Sequence, residues 1–203
     1  MTVISRNLFS ILPALALLTA CSILPQPEPV AMEKYLLEYT PAAPQEPRAD
    51  APVLVIALPQ AHGAYDTARI AYMQQQFGLR YYTRSSWADT PARMLAPLMA
   101  EALNASGRFQ ALYASPGRVS AKLRLDTELL HFHQDFTRRP SEMHVTLRAQ
   151  LVDLGTQRVV ASRLFDIREA APSEDAYGGV LAANRAVPRL LEELVAFCIG
   201  QSG

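Results

Sequence analysis

VSAKLRLDTELLHFHQ, residues 119–134, alternates with a period of two. Val119, Ala121, Leu123, Leu125, Thr127 and Leu129 fall on one face, and Ser120, Lys122, Arg124, Asp126 and Glu128 on the other. Successive side chains of a strand point to opposite sides, so the pattern predicts a strand with one dry face and one wet face. Residues 143–152 alternate too, with Met143, Val145, Leu147, Ala149 and Leu151 inward. A slip of one residue would turn every apolar side chain to water, so matching the two apolar faces fixes the register. It pairs Leu129 with Leu147 and Leu125 with Leu151 around a tip at Phe136 to Pro140, and it sets Glu128 opposite Arg148 on the wet side. Leu154-Gly155-Thr156-Gln157 then turns the chain into a third strand, Arg158 to Arg168. Its two-sided pattern (Val159 and Val160, Leu164 and Phe165) leaves that register open.

Upstream, Val53 to Leu58 is a continuous apolar run stopped by Pro59, which suits a central strand covered on both faces. Beyond a polar loop, Ile70 to Met73 and Leu79 to Tyr82 are expected as two short strands joined at Gln74 to Gly78. A helix follows. Asp89 or Thr90 can cap it, Pro91 suits its first position, and Leu95, Leu98, Met99, Ala102 and Leu103 form one stripe before Gly107 ends it. Phe109 to Tyr113 reads as another strand, and Lys34 to Tyr39 as a first one. A last helix spans about Asp175 to Ile199, with Val180, Leu181, Asn184, Val187, Leu191, Leu194, Val195 and Cys198 on its buried stripe. Pro188 is expected to kink or divide it. About eight strands and two helices define an α+β fold: a mixed or antiparallel sheet with two main helices packed on one face.

The N-terminus carries a different message. Residues 1–20 hold one basic residue, Arg6, no acid, and an apolar stretch from Leu8 to Leu18. That is too short to span a bilayer and fits the apolar core of a signal peptide. Leu18-Thr19-Ala20-Cys21 has an aliphatic residue, two small ones and a cysteine, the lipobox pattern. Cleavage before Cys21 and acylation of its thiol are therefore expected, with more than one chain needed for firm anchoring. Ser22, rather than Asp, follows the cysteine and points to the periplasmic face of the outer membrane over the inner membrane. Residues 1–20 are thus expected as signal peptide, 21–33 as a lipidated, proline-rich tether, and 34–203 as the domain.

Composition narrows the function classes. The chain has 19 basic and 19 acidic residues, and loss of Arg6 with the signal leaves a net charge of −1. Such a chain lacks the electrostatic footprint of a nucleic-acid binder. With Cys21 lipidated, Cys198 has no partner and reads as a buried, inert thiol. His131 and His133 share a strand face, but the register places His144 on the opposite face and no carboxylate beside the pair. No metal site is expected. There is no G-x-S-x-G, Ser85-Ser86-Trp87 has no recognisable base beside it, and Gly178-Gly179 lacks the residues of a phosphate loop. No catalytic residue and no cofactor is assigned.

One segment gathers these features into a resemblance. Tyr81-Tyr82-Thr83-Arg84-Ser85-Ser86-Trp87-Ala88-Asp89-Thr90-Pro91 places an aromatic pair, a Trp and a Pro at a strand-to-helix corner. It follows a lipobox, the Tyr35-Leu36-Leu37 strand and an apolar strand, and precedes the strand Leu123 to Phe136 and the hairpin Val152 to Phe165. In these features the chain resembles the ABC-type transport auxiliary lipoproteins, the PqiC-type component of MCE lipid transport systems. The resemblance implies a non-enzymatic partner of a periplasmic MCE-domain protein with its permease and ATPase, which move lipids or other hydrophobic molecules between the membranes. A homo-oligomer stays open. Only Cys21 matches a functional position of the family. Trp87, Tyr72, Tyr81 and Tyr82 are the candidates for a partner surface, although the favoured reading of Trp87 is a core staple at its corner. Two other classes remain: a lipoprotein that assembles or plugs an outer-membrane β-barrel, and an envelope enzyme.

Overall fold

The computed structural model describes residues 31–41, 43–113 and 120–201. In chain order the elements are β1 (Glu33–Tyr35), β2 (Val53–Ile56), β3 (Gln60–Ala61), β4 (Arg69–Gln75), β5 (Gly78–Trp87), α1 (Pro91–Ala105), β6 (Gln110–Tyr113), β7 (Leu123–Asp135), β8 (Glu142–Asp153), β9 (Arg158–Ala170) and α2 (Ala176–Gly200). All nine strands join one mixed sheet, which is α+β in class as the patterning requires.

β7 is its spine. Along one edge β8 pairs antiparallel for the whole length, and β9 pairs with β8. The other edge is shared by three short parallel strands in succession. β2 meets Leu123–Leu125, β3 meets Glu128 and Leu129, and β4 meets His133–Asp135. β6 then extends the sheet from β2, and β5 and β1 extend it from β4. The expected pairs Leu129–Leu147, Leu125–Leu151 and Glu128–Arg148 are present. The open register of the third strand closes with Leu147 opposite Phe165.

Both helices belong to one core with the sheet residues Leu54, Ile56, Leu125, Leu129 and Leu147. Thr90 caps α1 by accepting from the Arg93 amide, Pro91 opens it, and Gly107 follows it at φ +67°. Gly107 also lies against the proline-rich segment 40–51: Gln45 N–H donates to Ala105 O, and a Cβ on Gly107 would stand 3.0 Å from Gln45 Cβ. Asp175 caps α2 by accepting from Gly178 N–H at 2.7 Å. That first turn needs small residues. A Cβ on Gly178 would meet Ser173 O at 2.1 Å, and one on Gly179 would meet Gln134 Oε1 at 2.5 Å.

Three expectations are corrected, and the alternatives at Pro188 are narrowed. β2 is covered on one face only: Leu54 and Ile56 are fully buried while Val53 and Val55 are half-exposed, because the helices lie on a single side. α2 runs through Pro188 undivided. Its stripe from Val180 to Cys198 stays in one core on both sides of the proline, and burial on that scale outweighs the roughly 3 kcal/mol that an internal proline costs. β5 continues past Tyr82 to Trp87. β1, by contrast, stops at Tyr35.

Residues 36–38 instead lie along α2, held by Asn184. Its Oδ1 accepts from Glu38 N–H at 2.8 Å and its Nδ2 donates to Leu36 O at 3.1 Å. The side-chain amide thus stands in for a neighbouring strand and seats Leu37 in the core.

Two measurements check this packing. Leu147→Ala should lower unfolding free energy by about 2–5 kcal/mol in denaturant titration, whereas Glu128→Ala on the wet face should cost under about 1 kcal/mol. Asn184→Ala removes both clamp bonds and should cost about 1–3 kcal/mol. In the same variant, amide exchange should accelerate at Glu38 but not in β7.

Candidate functional site

The pairing of β7 with β8 contains one irregularity. Leu129 faces Leu147, but His131 faces Thr146, so Leu130 is an extra residue in β7. Such a bulge reverses the side-chain phase of everything beyond it. Phe132 and Gln134 therefore turn to the helix side, and His131 and His133 turn to the side that Arg124, Asp126 and Glu128 occupy before the bulge. His133 lies directly opposite His144.

This overturns the expectation that His144 faces away. The three imidazoles form a cluster, with ring centroids 5.7 Å (His131–His133), 4.9 Å (His131–His144) and 5.3 Å (His133–His144) apart. A carboxylate stands beside them as well: Asp166 of β9 faces Thr146. Leu129-Leu130-His131-Phe132, two adjacent leucines followed by a change of apolar phase, is the signal in the sequence that marks the bulge.

Hydrogen bonds assign the tautomers. His144 Nε2 is 2.6 Å from Asp166 Oδ1, so that nitrogen carries a proton. Its Nδ1 then accepts from Arg168 Nη2 at 3.2 Å. Thr146 donates to the same Asp166 oxygen at 2.6 Å, which leaves its oxygen to accept from His131 Nδ1 at 3.1 Å. Tyr65, from the loop after β3, donates to His133 Nδ1 at 3.0 Å and stacks on that ring. Arg168 also pairs with Asp135 and Glu142.

Burial disfavours a charge on His133 and, to a lesser degree, on His131. Desolvation, reinforced by the two neighbouring imidazoles, pushes His133 down to about 4 and lowers His131. Burial alone would raise Asp166, but hydrogen bonds from Thr146 and His144 outweigh it and hold the carboxyl below the usual range. Burial lifts the Tyr65 hydroxyl to about 12.

Chemically the arrangement is a closed network. In a nucleophile–base–acid triad the acid and the hydroxyl bind opposite nitrogens of the imidazole. Here Thr146 and Asp166 both approach Nε2 of His144, so no proton relay toward Thr146 is set up. No group of His, Cys, Asp or Glu among the described residues is arranged to hold a metal ion. The Nδ1 atoms of His131 and His133 are engaged by Thr146 and Tyr65, and the two nitrogens of His144 by Asp166 and Arg168.

The residues named from sequence are dispersed. Cys21 lies outside the described residues. Trp87 is 1% exposed, with its ring 5.5 Å from Phe132, so it lies in the core at the strand-to-helix corner and offers no face to a partner. Tyr72 and Tyr82 pack together at 4.6 Å on the side of Gln134, whose Oε1 accepts from the Tyr82 hydroxyl. The Tyr81 hydroxyl donates to Ala64 O, and Arg69 lies 3.9 Å over its ring. The three tyrosines are half-buried, with two hydroxyls committed inside the molecule. Cys198 is fully buried and its thiol is pushed up to about 12, the inert thiol expected. No helix among the described residues is long and apolar enough to cross a membrane.

The architecture is an open sheet with two helices on one face and a hydrogen-bonded polar network on the other. The chain belongs to the ABC-type transport auxiliary lipoprotein component family, which it matches over residues 35–195. It is therefore an auxiliary component of ABC-type transport, as its aromatic–Trp–Pro segment indicates. No curated protein matches it. Among solved structures, the protein XCC0632 from Xanthomonas campestris superposes with a TM-score of 0.72 at 24% identity, covering 83% of this chain and 94% of that one. An uncharacterized protein gives 0.66 at 11% identity over 83% and 99%. The hypothetical protein CT253 from Chlamydia trachomatis gives 0.50 at 12% over 74% and 98%. At these identities the likeness is one of fold.

The buried His133 makes a pH prediction. An unfolded histidine takes up a proton near pH 6.5, whereas folded His133 refuses it until about pH 4, so stability falls as pH drops through that window. Unfolding titrations at pH 7 and pH 4.5 should show a loss of about 2–3 kcal/mol in the wild type that His133→Gln largely lacks. An equal loss in both proteins would contradict a neutral, buried His133.

Proposed function

We propose that this chain is a lipid-anchored, non-catalytic docking component of an MCE-type ABC transporter, which moves lipids or other hydrophobic molecules between the inner and outer membranes. The observation that carries the reading is the family match over residues 35–195 behind a lipobox at Leu18 to Cys21. Residues 1–20 act as the signal, Cys21 takes the lipid, residues 21–33 form the tether and residues 34–203 the domain. The anchor sits at the periplasmic face of the outer membrane, and the domain meets an MCE-domain protein that works with a permease and an ATPase.

The geometry supports a role without turnover. Thr146 and Asp166 meet the same nitrogen of His144 rather than opposite ones, so the network is not arranged as a nucleophile–base–acid relay, and Cys198 is buried. The half-buried tyrosines Tyr72, Tyr81 and Tyr82 keep part of their rings at the surface and remain candidates for partner contact.

Three results test this. Mass spectrometry of the mature chain should find an acylated Cys21 at its N-terminus, and Cys21→Ala should be retained unprocessed or released into the periplasm. Crosslinking in cells should trap an MCE-domain protein. Deletion should sensitise the envelope to detergents. A purified domain that turns over an envelope substrate, with activity lost on changing one polar residue, would replace this reading with an enzyme.

A further inference from the structure

We propose that the surface around the start of the domain, formed by Met32, Tyr35, Leu36, Tyr177 and Leu181, rests on the phospholipid bilayer that holds the chain's own anchor. The inference builds on the reading of Cys21 as the lipidated residue and adds to it a defined orientation of the domain.

Large apolar side chains left in water mark a surface with something to bind. Met32 is 57% exposed, Leu36 57% and Tyr177 53%. Leu36 and Tyr177 line one shallow groove of about 560 Å³ between segment 34–40 and the first half of α2, together with Tyr35, Tyr39, Leu181 and Pro188. Its rings are paired, with Tyr35 and Tyr177 5.9 Å apart. The groove floor is rigid, because Asn184 bonds the backbone of Leu36 and Glu38 to α2.

Two features select a bilayer as the occupant. The first is where the chain enters. Met32 begins this surface, and Cys21 lies eleven residues earlier. At about 3.1 Å per residue even a fully stretched connection is about 34 Å long, so this part of the domain is the part held nearest the lipid. Tethering on that scale gives a high effective concentration, and a surface too weak to bind membranes alone then suffices. The second is its chemistry. Tyrosines joined to aliphatic side chains, with an apolar body and a polar tip, suit the headgroup boundary. Lys34 can reach lipid phosphates, while the exposed Glu33 and Glu38 restrict the contact to a shallow one.

Phe77, Leu58 and Leu112 are exposed elsewhere on the domain, and a further exposed apolar group, Val159, Val160 and Leu164, lies on β9. β9 pairs only with β8 and β1 only with β5, at opposite ends of the sheet, so β9 serves as the internal control.

The test uses the full lipidated chain, its acylation verified by mass, in vesicles of phosphatidylethanolamine and phosphatidylglycerol containing brominated lipid. Leu36→Cys and Leu164→Cys replace exposed side chains, and each is labelled with an environment-sensitive dye, Cys198 being buried. The dye at position 36 should be quenched several-fold more than the dye at position 164. Equal quenching, or none at either position, on a chain with acylated Cys21 would overturn the orientation while leaving the anchor intact. Shielding of position 36 from an aqueous quencher that grows with protein concentration, without quenching by lipid, would assign the surface to a second copy and overturn it too. An unmodified Cys21 would remove the anchor and the proposal together.

Discussion

The structure depends on β7 being paired along both edges. One edge is given wholly to β8, and the other is divided among three short parallel strands, β2, β3 and β4. Without β7 the sheet would separate into three pieces, β8–β9, β4–β5–β1 and β2–β6, with β3 left unpaired. Thirteen residues therefore carry one long ladder on one edge and three short ones on the other, with helices covering one face. Buried backbone groups left unpaired are costly, which is why so long a strand tolerates only one extra residue.

That extra residue, Leu130, divides the wet face in two. Before it, Arg124, Asp126 and Glu128 make ordinary surface ion pairs, Arg124 with Asp126 and Glu128 with Arg148. Beyond it, Tyr65 folds over His131 and His133, and the polar residues become a hydrogen-bonded network around buried His133 and His144 in which the imidazoles share one carboxylate and one guanidinium with their neighbours. The network fastens β7, β8, β9 and the loop after β3 together on the side the helices do not cover. A domain secured on both faces in this way suits a component that presents surfaces to partners and membrane.

Much of this was legible beforehand. The alternation of residues 119–134 against 143–152 gave the central hairpin, with a register that holds from Leu123–Asp153 to Leu129–Leu147 and is off by one residue beyond Leu130, and Thr90-Pro91 with Gly107 bounded α1. The histidine cluster was hidden because alternation extrapolated through Leu130 carries the wrong parity to His131 and His133. Tyr65 and Asp166 come from other parts of the chain, and no spacing links them to β7. Asn184 read as one more member of an apolar stripe, since nothing local shows that its amide will meet the backbone of residues 36–38. Val53 to Ile56 looked doubly covered because an apolar run does not reveal that helices will occupy only one side of the sheet.

The placement of Leu130 carries all of this, and cross-strand proton contacts in β7 and β8 measure it directly. Nuclear Overhauser spectra of the labelled protein should show His133 opposite His144 and Phe132 opposite Val145. Contacts placing Phe132 opposite His144 would mean that the register of Leu129 and Leu147 continues unshifted. His133 would then turn toward the helices, and the polar network described for the other face would not exist.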